Sequence, residues 1–576
     1  MLDIEKMIVK KYPKFKESKI LNAALSKFAD SVVHQDEINN FVEANAHLGS
    51  LEFTESVLEY LNFNYTVSDK NLENIPSVGR VVIIANHPLG GLDAFALIKL
   101  ISRVRKDIKI VANEFLSSAK PIAPILIDVN NFKSRQTKDS INKIYEALNN
   151  EEAVIIFPSG EVSRATPTGV RDGKWHKGFL KFAKRSNSPI LPVHIGGKNS
   201  KTFYSVSALN KKLSTLLLAH ELFSQRGKSI NIIVGEVIPA EFIYPKSLKS
   251  DKVVALYKRH LYSLKKGVSY FKTQKAIALP EDRRDIKKEL KNSQLLGSTK
   301  DGKSIYLYEY TQNNSSVLNE LGRLREVSFR KVGEGVNKKR DIDKYDRYYK
   351  HIVLWDNDDL EIVGAYRIGI AKEIQKEHGT DALYTKTLFE YTQNMQAILD
   401  DSIELGRSFV QPKYWGSRAL DYLWQGIGAY LKNNPQIKYM FGGVSLSESY
   451  PKVAQDMILY FYELYFSAKE TYVRAQLPYV INHEDEYLQK FISELDKNNY
   501  KEDFRVLKQA LSYLNLSVPV LYKQYADLCE SGGVKFCAFN IDREFSNCVD
   551  SFIIVDVEMI KDKQRRRYFG ELKSEV

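Results

Sequence analysis

The segment NHPLGGLD at residues 86–93 carries a histidine and an aspartate at a spacing that could support general-base catalysis. It follows the apolar run VVIIA at 81–85 and precedes a segment with helical spacing. Two glycines between them allow a sharp bend, so Asp93 can fold back to hydrogen-bond the imidazole of His87. The imidazole could then take a proton from a hydroxyl that attacks a thioester. A second interpretation stays open, in which Asp93 only caps the following helix.

A second motif, FPSGEVSR at 157–164, also comes directly after an apolar strand-like run, AVIIF. Gly160 permits close approach of the backbone to a ligand, and Glu161 and Arg164 offer charge. This motif predicts a binding loop for a polar group.

A third set of polar residues lies in the second half of the chain. Asp341, Asp343 and Asp346 fall within six residues, and Glu404 precedes Arg407 by three. Such carboxylates can hold an ammonium group and accept its proton when the amine attacks a thioester. Calcium binding is a weaker interpretation, because the loop lacks the DxDxDG pattern and its later Glu. A solvated acidic turn is the remaining alternative.

The elements that position these motifs differ between the two halves. Strand-like runs alternate with helical segments in the first half, which predicts an α/β domain. Helix, acidic loop, strands and helix follow one another in the second half, which predicts an α+β domain. We expect a helical leader at 1–70, an α/β domain at 71–275, a linker at 276–304 and an α+β domain at 305–576.

Charge and composition restrict the partners. The chain of 576 residues has 84 Lys and Arg against 71 Asp and Glu, a formal net charge of +13. Such a surface favours binding of anionic lipid headgroups or of an acidic carrier protein. The basic run at 561–567 near the C-terminus would also suit an acidic carrier protein. No zinc-ligand spacing or RNA-binding aromatic motif is present, so we expect no nucleic-acid partner.

Membrane contact is predicted to be peripheral. The N-terminal residues lack the apolar core of a signal peptide, and no apolar run reaches the roughly 20 residues that span a bilayer. The three cysteines have no CxxC spacing, which fits reduced thiols. We expect a cytoplasmic protein on the inner face of the membrane. The basic amphipathic segment 247–272 has Val253, Tyr257, Leu261, Leu264 and Val268 on one face, and it could rest on a bilayer or pack on its own domain.

The first two motifs resemble the glycerolipid acyltransferase superfamily, which includes lysophosphatidate acyltransferase, over roughly residues 75–240. The resemblance implies a catalytic pair and a set of acceptor-binding residues, which are His87 and Asp93, and Gly160, Glu161, Arg164 and Arg135. Five residues separate the histidine from the aspartate instead of the usual four, and FPSG replaces FPEG. These departures match the subgroup that acylates lyso-aminolipids.

The second half resembles the N-acyltransferases of ornithine-lipid synthesis and the related acylhomoserine-lactone synthases over roughly residues 305–470. The motifs are LREVSF, DxDxxD, YRI and ELGRSFV, in that order. The resemblance implies a GNAT-like fold and a 3-hydroxyacyl donor on acyl carrier protein, with coenzyme A as the alternative carrier. No ATP, nicotinamide or flavin motif is evident, so we expect no bound cofactor and no metal. It implies a site made of Arg325, Asp343, Asp346, Arg367, Glu404 and Arg407, with Glu404 as a catalytic group.

Together the two halves predict a bifunctional enzyme that makes an aminolipid. The second half would N-acylate an amino acid, and the first half would O-acylate the new hydroxyl of the lyso-lipid. One alternative is a lysophospholipid acyltransferase fused to a lactone-synthase-like domain. Another is a catalytically silent protein that binds membranes or carriers.

Overall fold

The computed structural model describes residues 34–112, 120–128, 138–209, 217–244, 248–311 and 313–570. The chain divides into two compact units, Met1–Ala276 and Ile277–Val576, called unit 1 and unit 2 below. Within the described ranges, no helix has both the length and the apolar character that crossing a bilayer requires.

Unit 1 is built on a mostly parallel sheet with helices on both faces. Its described helices are α1 Gln35–Ala44, α2 Ser50–Tyr60, α3 Asp69–Leu72, α4 Gly91–Ser102, α5 Lys138–Asn149, α6 Gly178–Arg185, α7 Lys201–Leu209, α8 Leu218–Ser224 and α9 Ser250–Ser263. Its described strands are β1 Asn64–Thr66, β2 Val81–Ala85, β3 Ile108–Ala112, β4 Leu126–Asp128, β5 Ala153–Ile156, β6 Arg164–Thr166, β7 Gly169–Arg171, β8 Ile190–Ile195 and β9 Ser229–Val234.

The main sheet of unit 1 has seven strands in the order β1-β9-β8-β2-β5-β3-β4, and β6 and β7 form a separate hairpin. All five residues of the central strand β2 are buried. Val81 and Ile83 pack in the core cluster that includes α2 and α4, whereas Val82 and Ile84 pack in the cluster that includes α5, α6 and α9. Burial on both faces explains why this strand is a continuous apolar run. The predicted α/β class is confirmed.

The amphipathic segment predicted at 247–272 forms α9 and a short 3₁₀ turn. Val253, Tyr257 and Leu261 are each fully buried in the core of unit 1. The Tyr257 hydroxyl donates a hydrogen bond to the carbonyl of Ile243 at 3.0 Å. The apolar face of α9 therefore packs on its own domain, which is the second of the two interpretations. Val268, which was predicted on the same face, lies beyond α9 and is 42% exposed.

Unit 2 is built on a mixed sheet. Its described helices are α10 Arg283–Leu290, α11 Ser316–Lys331, α12 Ala371–His378, α13 Gln393–Leu399, α14 Ala419–Asn433, α15 Lys452–Phe466, α16 Glu486–Ser493, α17 Tyr500–Tyr513, α18 Val520–Ala526 and α19 Asp562–Tyr568. Its described strands are β10 Gln294–Ser298, β11 Ser304–Glu309, β12 Lys350–Asp356, β13 Glu361–Ile370, β14 Phe389–Tyr391, β15 Ser402–Val410, β16 Tyr439–Leu446, β17 Val473–Ala475, β18 Val534–Asp542 and β19 Cys548–Asp556.

The main sheet of unit 2 has eight strands in the order β10-β11-β12-β13-β15-β16-β19-β18. One face packs on α14 and α15, and the other packs on α11. This arrangement confirms the predicted α+β class. The segment 276–304 differs from the predicted linker, because it contains the helix α10 and the edge strand β10. Ile286 and Leu290 of α10 are buried in the core of unit 2.

The strands β15 and β16 form the parallel pair of this sheet and then separate. Their pairing runs from Ser402 opposite Tyr439 to Leu405 opposite Gly442. Beyond that point β15 continues to Val410 against β13, and β16 continues to Leu446 against β19. The two strand ends past Leu405 and Gly442 therefore leave a gap in the sheet, called the strand gap below.

Candidate active sites

The imidazole of His87 and the carboxylate of Asp93 meet at the C-terminal end of β2. His87 Nδ1 lies 3.2 Å from Asp93 Oδ2. The same oxygen accepts the backbone N–H groups of Leu89 at 2.8 Å and Gly90 at 3.1 Å. Asp93 is fully buried, which raises its pKa, while its contacts with His87 and the two amides work in the opposite direction. Asp93 therefore caps the turn before α4 and contacts His87 at the same time, so the two sequence-based interpretations are compatible.

The His87 ring packs against an aromatic side chain and stays partly exposed. The ring stacks on Phe157 with centroids 4.2 Å apart, and the side chain is 18% exposed. An N–H bond at Nδ1 would not point at the Asp93 oxygen. The two atoms are therefore close enough for an ion pair but do not form a hydrogen bond. Such contacts commonly tighten when substrate binds. With its proton on Nδ1, the ring presents Nε2 as the acceptor.

The second motif lies against the first. β2 and β5 are parallel neighbours, so the loops that follow them lie at one edge of the sheet. The backbone N–H of Ser163 donates to the carbonyl of His87 at 2.7 Å. Gly160, with φ of 63°, and Glu161 are exposed in this loop. The predicted binding loop and the predicted base are thus in direct contact.

Arg164 begins the hairpin strand β6 beside this loop. Its guanidinium lies over the ring of Phe203, 5.0 Å from the centroid. Burial lowers the pKa of Arg164, and the charge of Glu161 acts against that shift. Both predicted headgroup residues therefore share one local environment. Arg135, the other predicted basic contact, lies outside the described residues.

Asp172 is a site residue that sequence reasoning missed. Its Oδ1 accepts the backbone N–H of His87 at 3.1 Å and the hydroxyl of Ser163, and its Oδ2 accepts the indole N–H of Trp175 at 2.8 Å. This buried carboxylate joins the two motif loops. The sequence around it, GVRDGKW, is polar and gives no sign that Asp172 is buried.

In unit 2, the predicted charged residues form one buried network of three arginines and three aspartates. Arg325 Nη1 on α11 donates to Asp346 Oδ1 at 2.7 Å. Arg367 Nη1 on β13 donates to Asp343 at 2.7 Å and to Asp346 at 3.2 Å. Asp343 and Asp346 also cap the 3₁₀ turn between them. The acidic loop is therefore a folded, charge-paired element and not a solvated turn.

The network fixes the charge of its members. Although burial opposes ionisation, Arg325 and Arg367 hold the pKa of Asp346 well below its ordinary value. The Nδ1 atom of His351 lies 3.2 Å from Nη2 of Arg325. Burial and the charge of that guanidinium lower the pKa of His351 to about 3. His351 is consequently neutral, and the arginines are balanced by the aspartates.

Arg407 links this network to the strand gap. It lies on β15 with φ of 47°, a left-handed conformation that a non-glycine residue seldom adopts. Its Nε lies 3.1 Å from Asp341, its Nη2 lies 3.5 Å from Asp343, and its Nη1 donates to the Tyr384 hydroxyl at 2.9 Å. Strain of this kind persists where the surroundings hold a residue for function.

Glu404 differs from its predicted role as a free ammonium-binding carboxylate. It is buried, and it accepts hydrogen bonds from the Tyr349 hydroxyl, from the Tyr384 N–H at 3.0 Å and from the Thr385 N–H at 2.6 Å. These donors occupy both of its oxygens. Tyr349 and Tyr384 were missed by the sequence analysis, because isolated tyrosines in a chain with 34 of them carry no signal.

Two protein families match the chain. Residues 7–269 match an acyltransferase family, and residues 324–425 match the acetyltransferase (GNAT) domain. A glycine N(alpha)-acyltransferase of Bacteroides thetaiotaomicron is 33% identical over 305 residues, 51% of this chain and 89% of that protein. A lyso-glycine lipid O-acyltransferase of the same bacterium is 30% identical over 246 residues, 42% of this chain and 89% of that protein.

The chain belongs to the aminolipid acyltransferase family. One polypeptide here is similar to two acyltransferases that are separate proteins in Bacteroides thetaiotaomicron. An L-ornithine N(alpha)-acyltransferase of Brucella abortus is also similar, with 30% identity over 134 residues, 22% of this chain and 46% of that protein. Both resemblances inferred from the motifs are confirmed. The chain is therefore an acyltransferase enzyme.

Proposed function

We propose that the aminolipid acyltransferase makes a diacylated amino-acid lipid in two steps, with glycine as the acceptor of the first. Unit 2 transfers a 3-hydroxyacyl group from a thioester to the amine. Unit 1 then acylates the new 3-hydroxyl group. The contact between His87 and Asp93 supports this proposal most strongly. It lies beside the loop 157–164, so a general base would stand next to the loop that is proposed to bind the polar headgroup.

In unit 1, His87 Nε2 takes the proton of the lyso-lipid hydroxyl while the oxygen attacks the thioester carbonyl carbon and a C–O bond forms. The C–S bond then breaks, and the imidazolium returns the proton to the leaving thiolate. Asp93 orients the ring and stabilises the imidazolium that forms. Arg164 and Glu161 offer opposite charges to the headgroup of the lyso-lipid. The exposed Gly160 lets the backbone approach that headgroup closely.

In unit 2, the strand gap offers unpaired backbone N–H and C=O groups to the amide groups of an extended acyl carrier arm. The network of Arg325, Asp343, Asp346 and Arg367 anchors Arg407 beside this gap, where its guanidinium can contact the carboxylate of the amino acid. Glu404 acts as a positioning residue, because it orders the backbone of Tyr384, whose hydroxyl bonds Arg407.

The donor is proposed to be acyl carrier protein, and the place of action the inner face of the cytoplasmic membrane. The net charge of +13 supports both acidic partners. Lys563 and Arg566 on α19 remain exposed for such a contact. Initial rates with matched acyl-carrier-protein and acyl-coenzyme A thioesters test the donor, and a higher kcat/KM for the coenzyme A thioester would contradict it.

Expression of the full chain in a bacterium that lacks aminolipids tests the whole proposal. Mass spectrometry of the lipid extract is expected to show a glycine lipid with one amide-linked and one ester-linked acyl chain. If the extract contains an ornithine lipid instead, glycine is the wrong acceptor but the two acyl transfers stand. A lactone signal, or an unchanged extract, would contradict aminolipid synthesis.

A further inference from the structure

A second group of buried carboxylates lies on the site face of the unit 2 sheet. Asp550 on β19 is directly opposite Ser445 on β16, and Asp542 on β18 is opposite Cys548 on β19. Directly opposed residues of antiparallel strands project from the same face, and so do residues two apart on one strand. The Ser445 hydroxyl donates to Glu334 Oε2 at 3.0 Å. Glu334, Asp542 and Asp550 are called the acidic cluster below.

Asp550 differs from the other two members because its carboxylate has no partner in the described part of the chain. Asp542 accepts the N–H groups of Glu544 at 2.8 Å and Phe545 at 3.0 Å. Asp550 is only 6% exposed, and no described residue gives its carboxylate a hydrogen bond or an ion pair. Burial of a carboxylate without a hydrogen-bond or ion-pair partner costs free energy. Such a carboxylate on the face of the sheet that forms the site suggests that a bound ligand supplies the partner.

The acidic cluster also lacks a cation of its own among the described residues. Arg407 is the cation whose charge reaches Asp542 and Asp550, and it is already engaged with Asp341 and Asp343. Burial, followed by the charges of Asp542 and Glu334, raises the pKa of Asp550 well above its ordinary value. A cation that entered the cluster would relieve this repulsion.

The location of the cluster relates it to the reaction. Gly443 and Ser445 belong to the part of β16 that no longer pairs with β15, so they border the strand gap. A Cβ atom built on Gly443 would lie 3.5 Å from Asp550 Oδ1, which shows that this carboxylate lies over a residue without a side chain. The unpartnered carboxylate therefore faces the region in which the thioester is proposed to bind.

We propose that the acidic cluster is the subsite that receives the primary ammonium group of the acceptor, with Asp550 as the carboxylate that takes its proton. The inference rests on the proposed N-acyl transfer by unit 2. It assigns the base role to Asp550 instead of Glu404, whose oxygens are occupied by protein donors.

The proton balance of the step is simple. One proton passes from the ammonium group to Asp550, and the neutral amine attacks the thioester carbonyl carbon, so that a C–N bond forms. The C–S bond then breaks, and the thiolate that leaves takes a second proton from the nitrogen, which yields an amide and a thiol. Asp550 finally releases its proton to solvent. No oxidant or reductant is required.

The variant Asp550→Asn of the full chain tests this role with glycine and a 3-hydroxyacyl thioester of acyl carrier protein, the proposed donor, as probes. Loss of a charged hydrogen-bond partner is expected to raise the KM for glycine on the order of 10- to 100-fold. The KM for the thioester should stay constant. Glu334→Gln, which keeps an acceptor for Ser445, should raise the KM for glycine less. Asp358→Asn, at an exposed position between β12 and β13, serves as the control and should behave as the wild type.

Thermal unfolding provides a readout that a merely structural role would not produce. Asp550→Asn replaces a buried carboxyl group that has no described partner by a neutral amide, so it should unfold at or above the wild-type temperature. Glycine should raise the unfolding temperature of the wild type more than that of the variant. Equal glycine KM values, or equal shifts with glycine, would overturn the inference while the proposed function stands. Absence of acyl transfer by the wild type to glycine and to ornithine would overturn the proposed function, and the inference with it.

Discussion

A single carboxylate oxygen of Asp93 lies 3.2 Å from the imidazole of His87 and also accepts the N–H groups of Leu89 and Gly90. The turn that leads into α4 and the orientation of the imidazole therefore depend on the same atom. A change at Asp93 should affect the O-acyl transfer step far more than it affects the fold, provided that the replacement still accepts hydrogen bonds.

Asp93→Asn keeps one oxygen for the two amides but loses the charge that stabilises the imidazolium. We expect O-acyl transfer to fall by roughly 10²- to 10⁴-fold, the range attributed to general-base catalysis. N-acyl transfer should be unchanged, since unit 2 carries that site. Rates measured separately with a lyso-lipid and with a free amino acid check this. Asp251→Asn on α9 is the exposed control, and an equal loss in both reactions would contradict the assignment.

Gly90 has φ of 91° and ψ of −129°, a conformation that side chains other than hydrogen disfavour strongly. Gly90→Ala should therefore cost about 1–3 kcal/mol of stability in unit 1 and displace His87. Calorimetry and the O-acyl transfer rate measure the two effects. Gly178→Ala at the start of α6 is the matched control, because its added methyl group meets only an ordinary contact at 3.6 Å. A variant at Gly90 as stable as this control would refute the claim.

Asp346 is the centre of the charge network in unit 2. Asp346→Asn leaves Arg325 and Arg367 buried with fewer countercharges, and removal of one partner from such a pair costs about 3–5 kcal/mol. Denaturant unfolding followed by tryptophan fluorescence is suited to the test, because Trp355, Trp415 and Trp424 lie in unit 2. The exposed Asp358→Asn should unfold as the wild type does, and similar midpoints for both variants would count against the network.

Much of this architecture could be predicted from the sequence, because its strongest signals are local. The run VVIIA followed by NHPLGGLD specifies a buried strand, a glycine-dependent turn and a helix within about 20 residues, and the pairing of His87 with Asp93 follows from that short path. The charged residues of unit 2 were also identified, since their motifs occur in a recognisable order.

Contacts between distant parts of the chain could not be predicted in this way. Asp172 reaches His87 across 85 positions, and Tyr349 reaches Glu404 across 55. Asp550 joins Glu334 only because β19 lies beside β16 in the sheet. Which strands become neighbours depends on the tertiary fold, so the residue types alone did not show that Glu404 is occupied and Asp550 is unpartnered.

Burial raises the pKa of Glu334 to about 7 from its ordinary value of 4.5. The folded state therefore binds more protons than the unfolded state between these values, and stability must fall as the pH rises through this window, by roughly 3 kcal/mol at most. Glu334→Gln should remove the contribution of Glu334 and so reduce this slope, because its amide does not titrate. Unfolding free energies at pH 5 and pH 8 check the difference, with the exposed Glu494→Gln as control. Parallel pH dependence of wild type and Glu334→Gln would be inconsistent with the shift.

The order of the two acyl transfers is tested most directly by His87→Ala in a bacterium without aminolipids of its own. The lipid extract is expected to accumulate the monoacylated 3-hydroxyacyl amino acid and to lack the diacylated lipid, because unit 2 still works while unit 1 has lost its base. A normal amount of diacylated lipid from this variant would contradict the account.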